Sequence, residues 1–182
     1  NVGEANLKSQ LVTGTAAPPP LLVTEGAVTY PVHLADDLTT GLLLDMRPIR
    51  EWVASAELQG KTVLNLFSQE NGITAAAAVA GAAKTISIET SKKGATATAE
   101  QLAMNNIDPD KHEIRTIEVP NYLDYTAKHH LSYDVVVVTA PTFARVKKQK
   151  FQVAVDLTDM LAQALPTVRR DGQLVVATTA NK

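Results

Sequence analysis

The sequence predicts a three-layer α/β/α sandwich on a mostly parallel sheet, preceded by a small N-terminal β-hairpin. Three observations predict it. From residue 61 onward, short apolar runs alternate with stretches of helical periodicity, the βαβα order of a parallel sheet. Residues 133 to 139, Tyr-Asp-Val-Val-Val-Val-Thr, form a β-branched run of the kind buried on both faces. Residues 61 to 81 pass from an apolar strand through a short polar loop into an alanine-rich helix, which is the βα turn of nucleotide-binding folds.

The chain has 182 residues, 45% of them hydrophobic. That suffices for one domain of about 120 to 150 residues with an appendage. The absence of cysteine excludes a disulfide framework, thiolate metal sites and any cysteine nucleophile. A net charge of −2 gives no overall field for nucleic acid, so RNA binding needs a local basic patch. No apolar run nears the roughly 20 residues of a membrane span, and residues 1 to 5 lack a signal pattern. A soluble protein is expected, compatible with the cytoplasm. A first residue other than Met points to a processed or truncated chain.

Taken in order, Pro18-Pro19-Pro20 stiffens a linker, and Leu21 to Leu34 reads as a hairpin turning at Glu25-Gly26, with Pro31 placing its second strand at an edge. Residues 42 to 45 read as a short strand, and Pro48 as the start of a helix to about Leu58 packing Ile49, Trp52 and Val53. Val63 to Phe67 and Thr85 to Glu89 are the first two parallel strands. Ser91 is a fit N-cap for a helix ending near Asn106, followed by the turn Asp108-Pro109-Asp110. A third strand at Glu113 to Val119, a helix from Pro120 to His130 and the strand from Tyr133 follow. Residues 140 to 150 read as a loop. Leu157, Met160, Leu161, Ala164 and Leu165 form one helical face, and Arg170-Asp171-Gly172 turns into a last strand at Leu174 to Thr178.

Chemistry concentrates at the strand ends. Residues 68 to 72 lie between a strand and a helix amino end, where free N–H groups favour a polar ligand, although an ordinary βα turn has the same outline. Glu89 ends the next strand, where an α/β fold places its ribose-hydroxyl acceptor and where a solvated carboxylate is the plainer reading. Asp45 and Arg47 form either a charged clamp or a surface salt bridge. His129-His130 suit a helix carboxyl end, and no carboxylate stands at ligand spacing to make them a metal site.

Four stretches across residues 26 to 181 resemble one family. Thr40-Gly41-Leu-Leu-Leu-Asp45-Met-Arg47 is similar to its Thr-Gly-Phe-Phe-Leu-Asp-Gln-Arg segment, Leu64-Asn-Leu-Phe-Ser68 to its first cofactor motif, and Ile88-Glu89-Thr-Ser91 to its ribose motif. Ala140-Pro141-Thr-Phe143-Ala-Arg-Val-Lys-Lys148 resembles its Asp-Pro-Pro-Ser-Phe catalytic loop and the lysines after it. The family is that of class I S-adenosylmethionine-dependent methyltransferases, specifically bacterial large-subunit ribosomal RNA methyltransferases, with a Rossmann-like fold. Its pattern is departed from at Gln69-Glu70-Asn71-Gly72, where it has Tyr-Thr-Gly-Gly. Glu89 and Glu118 stand in place of Asp, and Thr139-Ala140-Pro141 in place of Asp-Pro-Pro.

The resemblance implies S-adenosylmethionine as cofactor, held by Asp45, Arg47, Phe67, Ser68, Gln69, Asn71, Gly72, Glu89, Thr90, Ser91, Glu118 and Val119. Thr139, Pro141 and Phe143 would stand at the transferred methyl group. Arg145, Lys147, Lys148 and Lys150 would meet RNA phosphates. Residues 1 to 45 would form the linker and hairpin appendage, and 46 to 182 the methyltransferase-like domain. Two functions follow: a methyltransferase acting on RNA, or a degenerate, non-catalytic module that binds RNA or protein. Beyond the last strand a family member continues with further sheet, so the hairpin, a partner subunit or an absent segment is expected to shield that strand's open edge.

Overall fold

The computed structural model describes residues 11 to 35, 40 to 68, 72 to 146 and 149 to 178. Five parallel strands make the central sheet: β3 (Thr62–Leu66), β4 (Lys84–Glu89), β5 (His112–Thr116), β6 (Tyr133–Ala140) and β9 (Val168–Thr178), in the spatial order β5-β4-β3-β6-β9. The chain runs outward from β3 to β5, then returns to lay β6 against the other side of β3. The order therefore reverses between β3 and β6, where an open α/β sheet leaves a crevice at its carboxyl ends.

Both faces are covered, as continuous apolar strands require. Leu64, Leu66, Ile86, Ile88, Val136 and Val138 pack against α4 (Val119–Lys128) and α5 (Val153–Ala164) through Tyr122, Leu123, Val153, Met160 and Ala164. Val63, Val135 and Val137 meet Val53 of α1 (Arg47–Ser55) and Ile73, Ala75, Ala76 and Ala77 of α2 (Ile73–Val79) on the opposite side. Small alanine side chains bring α2 close enough for Thr74 to reach Asn65 at 2.9 Å and Ser87 at 2.7 Å. These three buried polar groups satisfy one another, as a dry interior demands. Ser91 caps α3 (Lys92–Met104) by accepting from Gly94 N–H, as expected.

The hairpin of β1 (Leu21–Glu25) and β2 (Val28–Val32) forms where expected, with Gly26 at φ 58° in its turn. It is a separate antiparallel sheet lying over α2 and α3, and Val28, Tyr30 and Val32 are core residues. It does not pair with β9, which keeps β6 as its hydrogen-bonded neighbour at the sheet edge. The hairpin therefore leaves the expected shielding undone, because its buried face is already committed to the helices.

Other local expectations need correction. Residues 44 to 46 form a 3-10 turn, with Leu42 and Met46 buried and Leu44 and Asp45 exposed. A strand there would have needed a partner. The stretch after β6 is a second hairpin, β7 (Phe143–Val146) with β8 (Gln149–Gln152). No turn interrupts residues 170 to 172, since β9 absorbs them at a register shift opposite Tyr133 and Val135. Leu165 lies outside α5 and is exposed, because Pro166 tightens the chain into a 3-10 turn there. The third strand ends at Thr116, so Glu118 lies in the β5–α4 connection as the residue before α4, and Val119 is the first residue of that helix.

Candidate functional site

Three separate segments converge at the switch point. Phe67 at the tip of β3, Thr139, Ala140 and Pro141 at the tip of β6, and Leu43, Asp45 and Met46 from the turn before α1 line one cavity of about 210 Å³. Asp45 is exposed and supplies the carboxylate of this lining. Phe67 takes φ 57°, a left-handed conformation rare for a bulky residue and a mark of functional sites. Thr139 Oγ1 donates to the Phe67 carbonyl at 2.9 Å, joining the two strand tips. The threonine standing where the resembling family has aspartate is thus a brace across the crevice.

The remaining sequence-predicted residues fall into groups. Ser68 is buried, its N–H given to the Ile88 carbonyl at 3.1 Å and its hydroxyl to Glu89 Oε1 at 2.6 Å. That amide is therefore spent inside the sheet and not directed at a ligand. Gly72 has φ 71°, as its loop position requires. With seven residues, α2 carries too little aligned backbone for its dipole to define a site. Gln69, Asn71, Lys147 and Lys148 lie outside the described residues. Phe143 and Arg145 fall in β7 and Lys150 in β8, where the register sets Arg145 opposite Lys150.

Glu89 ends β4 as expected, but it is 0% exposed. Besides Ser68, the Thr98 hydroxyl donates to Oε1 at 2.6 Å. Oε2 lies against Gly94, where any Cβ would collide with it. Thr90 follows at the strand end, half-buried, and the Ser91 hydroxyl is occupied as the α3 cap. Glu118 stands beyond β5, beside the tip of β4, since its neighbour Ile117 donates to the Glu89 carbonyl at 2.9 Å. Its Oε2 is buried with no hydrogen-bond partner among the described residues. The Val119 side chain is in the core, which leaves only its backbone near the crevice. Arg47 turns to Glu51 at 2.9 Å in an exposed ion pair and lines a different cavity from Asp45. The clamp of Asp45 and Arg47 is therefore not assembled.

Sequence reasoning missed Thr98, Leu43 and Met46, and it missed the cluster of buried Tyr30 and Arg50 with half-buried Glu25 beside the crevice. Thr98 carried no signal, being one threonine in an alanine-threonine run. Arg50 carried one, since it falls on the same helical face as Val53. Among the described residues no group of His, Cys, Asp or Glu could hold a metal ion, and no helix is long and apolar enough to cross a membrane.

A parallel sheet with a crevice at its switch point and acidic side chains at neighbouring strand tips defines the class of α/β proteins that take a nucleotide-like cofactor. Within that class the chain belongs to the S-adenosylmethionine-dependent methyltransferase family, matching it over residues 19–181. YwbD of Bacillus subtilis (strain 168), a candidate ribosomal RNA large subunit methyltransferase, is 34% identical over 162 residues, covering 89% of this chain and 41% of YwbD. The ribosomal RNA large subunit methyltransferase K/L of Marinobacter nauticus is 31% identical over 162 residues, covering 88% of this chain and 22% of that enzyme. The crystal structure of SMU.776 complexed with SAH superposes with a TM-score of 0.87 at 34% identity, over 93% of this chain and 44% of that one. The chain thus spans less than half the length of these relatives.

Proposed function

We propose that the chain binds S-adenosylmethionine in the crevice between β3 and β6 and transfers its methyl group to RNA. The observation that carries this reading is the single cavity shared by Asp45, Phe67, Thr139 and Pro141, three segments far apart in sequence. Oε2 of Glu118, buried with no hydrogen-bond partner among the described residues, fits the cofactor, since a buried acceptor without a donor is costly until a ligand supplies one. Asp45, exposed on the cavity lining, would meet a ligand ammonium.

S-adenosylmethionine brings an electrophilic methyl on a sulfonium centre. The protein has only to orient it against a nucleophile, so positioning carries the rate. Phe67 and Thr139 fix the two strand tips to each other, and Pro141 starts the segment leading to Phe143, which we assign to the acceptor base. Glu89, at the tip of β4, would hold the ribose hydroxyls with a carboxylate that the Ser68 and Thr98 hydroxyls keep hydrogen-bonded. Arg145, Lys147, Lys148 and Lys150 contact RNA phosphates, and a cytoplasmic setting follows from an RNA substrate. SMU.776 complexed with SAH and the ribosomal RNA methyltransferases of similar sequence support this reading.

Calorimetry with S-adenosylmethionine and SAH tests it. Binding of both at one site is expected, weakened about 10-fold by Glu118→Ala and weakened as well by Asp45→Ala. A chain with affinity for neither is not the enzyme, and RNA binding by such a chain would establish the non-catalytic module instead.

A further inference from the structure

The crevice is backed by a buried charged group that no cofactor motif includes. Arg50 of α1 is 2% exposed. Its guanidinium donates through Nε and Nη2 to the two carboxylate oxygens of Glu25, at 2.7 and 2.8 Å, and through Nη1 to the Leu43 carbonyl at 2.7 Å. Three elements meet in this one side chain: the first hairpin, α1, and the segment carrying Leu43, Asp45 and Met46 into the cavity. The Arg50 guanidinium also lies 5.5 Å from the ring centroid of Tyr30. Tyr30, 1% exposed, donates its hydroxyl to the Gly72 carbonyl at 3.3 Å. A Cβ on Gly72 would come within 2.7 Å of the Tyr30 ring, 2.9 Å of Arg50 Cδ and 3.1 Å of Leu42. The glycine that leads the chain into α2 is therefore packed against the same pair.

We propose that Glu25, Tyr30 and Arg50 form a positioning clamp that sets the Leu43 to Met46 segment and the Gly72 turn at their working distance across the cofactor crevice. The clamp rests on the cofactor reading for its ligand but not for its geometry. A buried ion pair is weak evidence for stability, because desolvation offsets much of its attraction, and its better-attested use is to fix one arrangement among several. Here the planar fork of arginine donates to three acceptors, two of them on one carboxylate, a task lysine cannot perform with a point charge. The hairpin is accordingly part of the cofactor site's architecture, tied through Arg50 to the segment that leads into the 3-10 turn at 44 to 46.

The test uses the 182-residue chain with Tyr30→Phe and Arg50→Lys, which keep shape or charge, and Leu22→Ala on the exposed hairpin face as control. Hydrogen exchange in the absence of ligand is followed at residues 42 to 46 and 73 to 76, with residues 133 to 140 as reference, and SAH binding by calorimetry. Faster exchange confined to the two segments is expected. SAH should bind about 3-fold more weakly in Tyr30→Phe, which loses a neutral hydrogen bond, and about 10-fold more weakly in Arg50→Lys, which loses charged ones. Unchanged exchange in both variants, or exchange raised equally in the reference strand, overturns the clamp even when the parent binds SAH. A parent without SAH affinity overturns the cofactor reading instead, and the exchange pattern still decides whether the clamp exists.

Discussion

Thr139 Oγ1 donates to the carbonyl oxygen of Phe67 at 2.9 Å, and this one bond ties β6 to the left-handed residue that ends β3. Replacing Thr139 by Val keeps the shape and leaves a buried carbonyl at the crevice with one partner fewer. The expected loss is about 1 to 2 kcal/mol, the cost of removing one partner from a buried pair. Urea unfolding should show it in Thr139→Val, whereas Thr139→Ser should stay within about 0.5 kcal/mol of the parent because the donor survives.

Gly94 sits in the first turn of α3 directly under Glu89 Oε2. An alanine there would ordinarily strengthen the helix by about 1 kcal/mol, but its Cβ would overlap a fully buried carboxylate. A net destabilisation of about 1 to 2 kcal/mol is expected for Gly94→Ala from the overpacking. Glu89→Asp shortens the side chain by one methylene, so the double variant Glu89→Asp, Gly94→Ala should be more stable than the sum of the single changes. An additive cycle would mean that Gly94 does not make room for the longer acid.

Glu118 offers a case where stability and binding move in opposite directions. Its Oε2 is buried with no hydrogen-bond partner among the described residues. Glu118→Ala should therefore raise stability without ligand by about 1 kcal/mol, the penalty of one unsatisfied group being removed. The same change should weaken SAH binding by roughly 10-fold through the lost acceptor. If both properties fell together, Glu118 would be a structural residue and nothing more.

His112 is buried against Thr85, with 3.0 Å between Nδ1 and Oγ1. Burial holds the imidazole below its ordinary value, opposed by the nearby Asp108 carboxylate. Its neutral form thus contributes stability that is complete above the unfolded value of about 6.5 and is lost as pH falls through the folded one. Glu25 has its carboxyl lowered mainly by the Arg50 hydrogen bond, so its contribution is lost only further down, below about 4.3. Acid unfolding should therefore begin with a His112 phase: denaturant midpoints of the parent should decline between pH 7 and 5.5, and those of His112→Gln should not.

The periodic signals were legible in the chain because they are local. A β-branched run at 133 to 139, an alanine-rich turn after residue 72 and a serine before α3 each fix backbone conformation through their own sterics and hydrogen bonds, and the parallel order follows from their alternation. The strand-tip positions of Phe67, Glu89 and Thr139 followed from those strands as well. What those side chains do was settled only by packing. Nothing in residues 85 to 98 says that Glu89 packs against Gly94 and accepts from Thr98, or that Thr139 reaches the Phe67 carbonyl, because each contact joins elements whose separation is set by how helices and strands fill the space between them. The Glu25, Tyr30 and Arg50 cluster was hidden for the same reason. A buried arginine is admissible only when a carboxylate and a carbonyl arrive from elsewhere in the fold, and sequence spacing does not report that arrival.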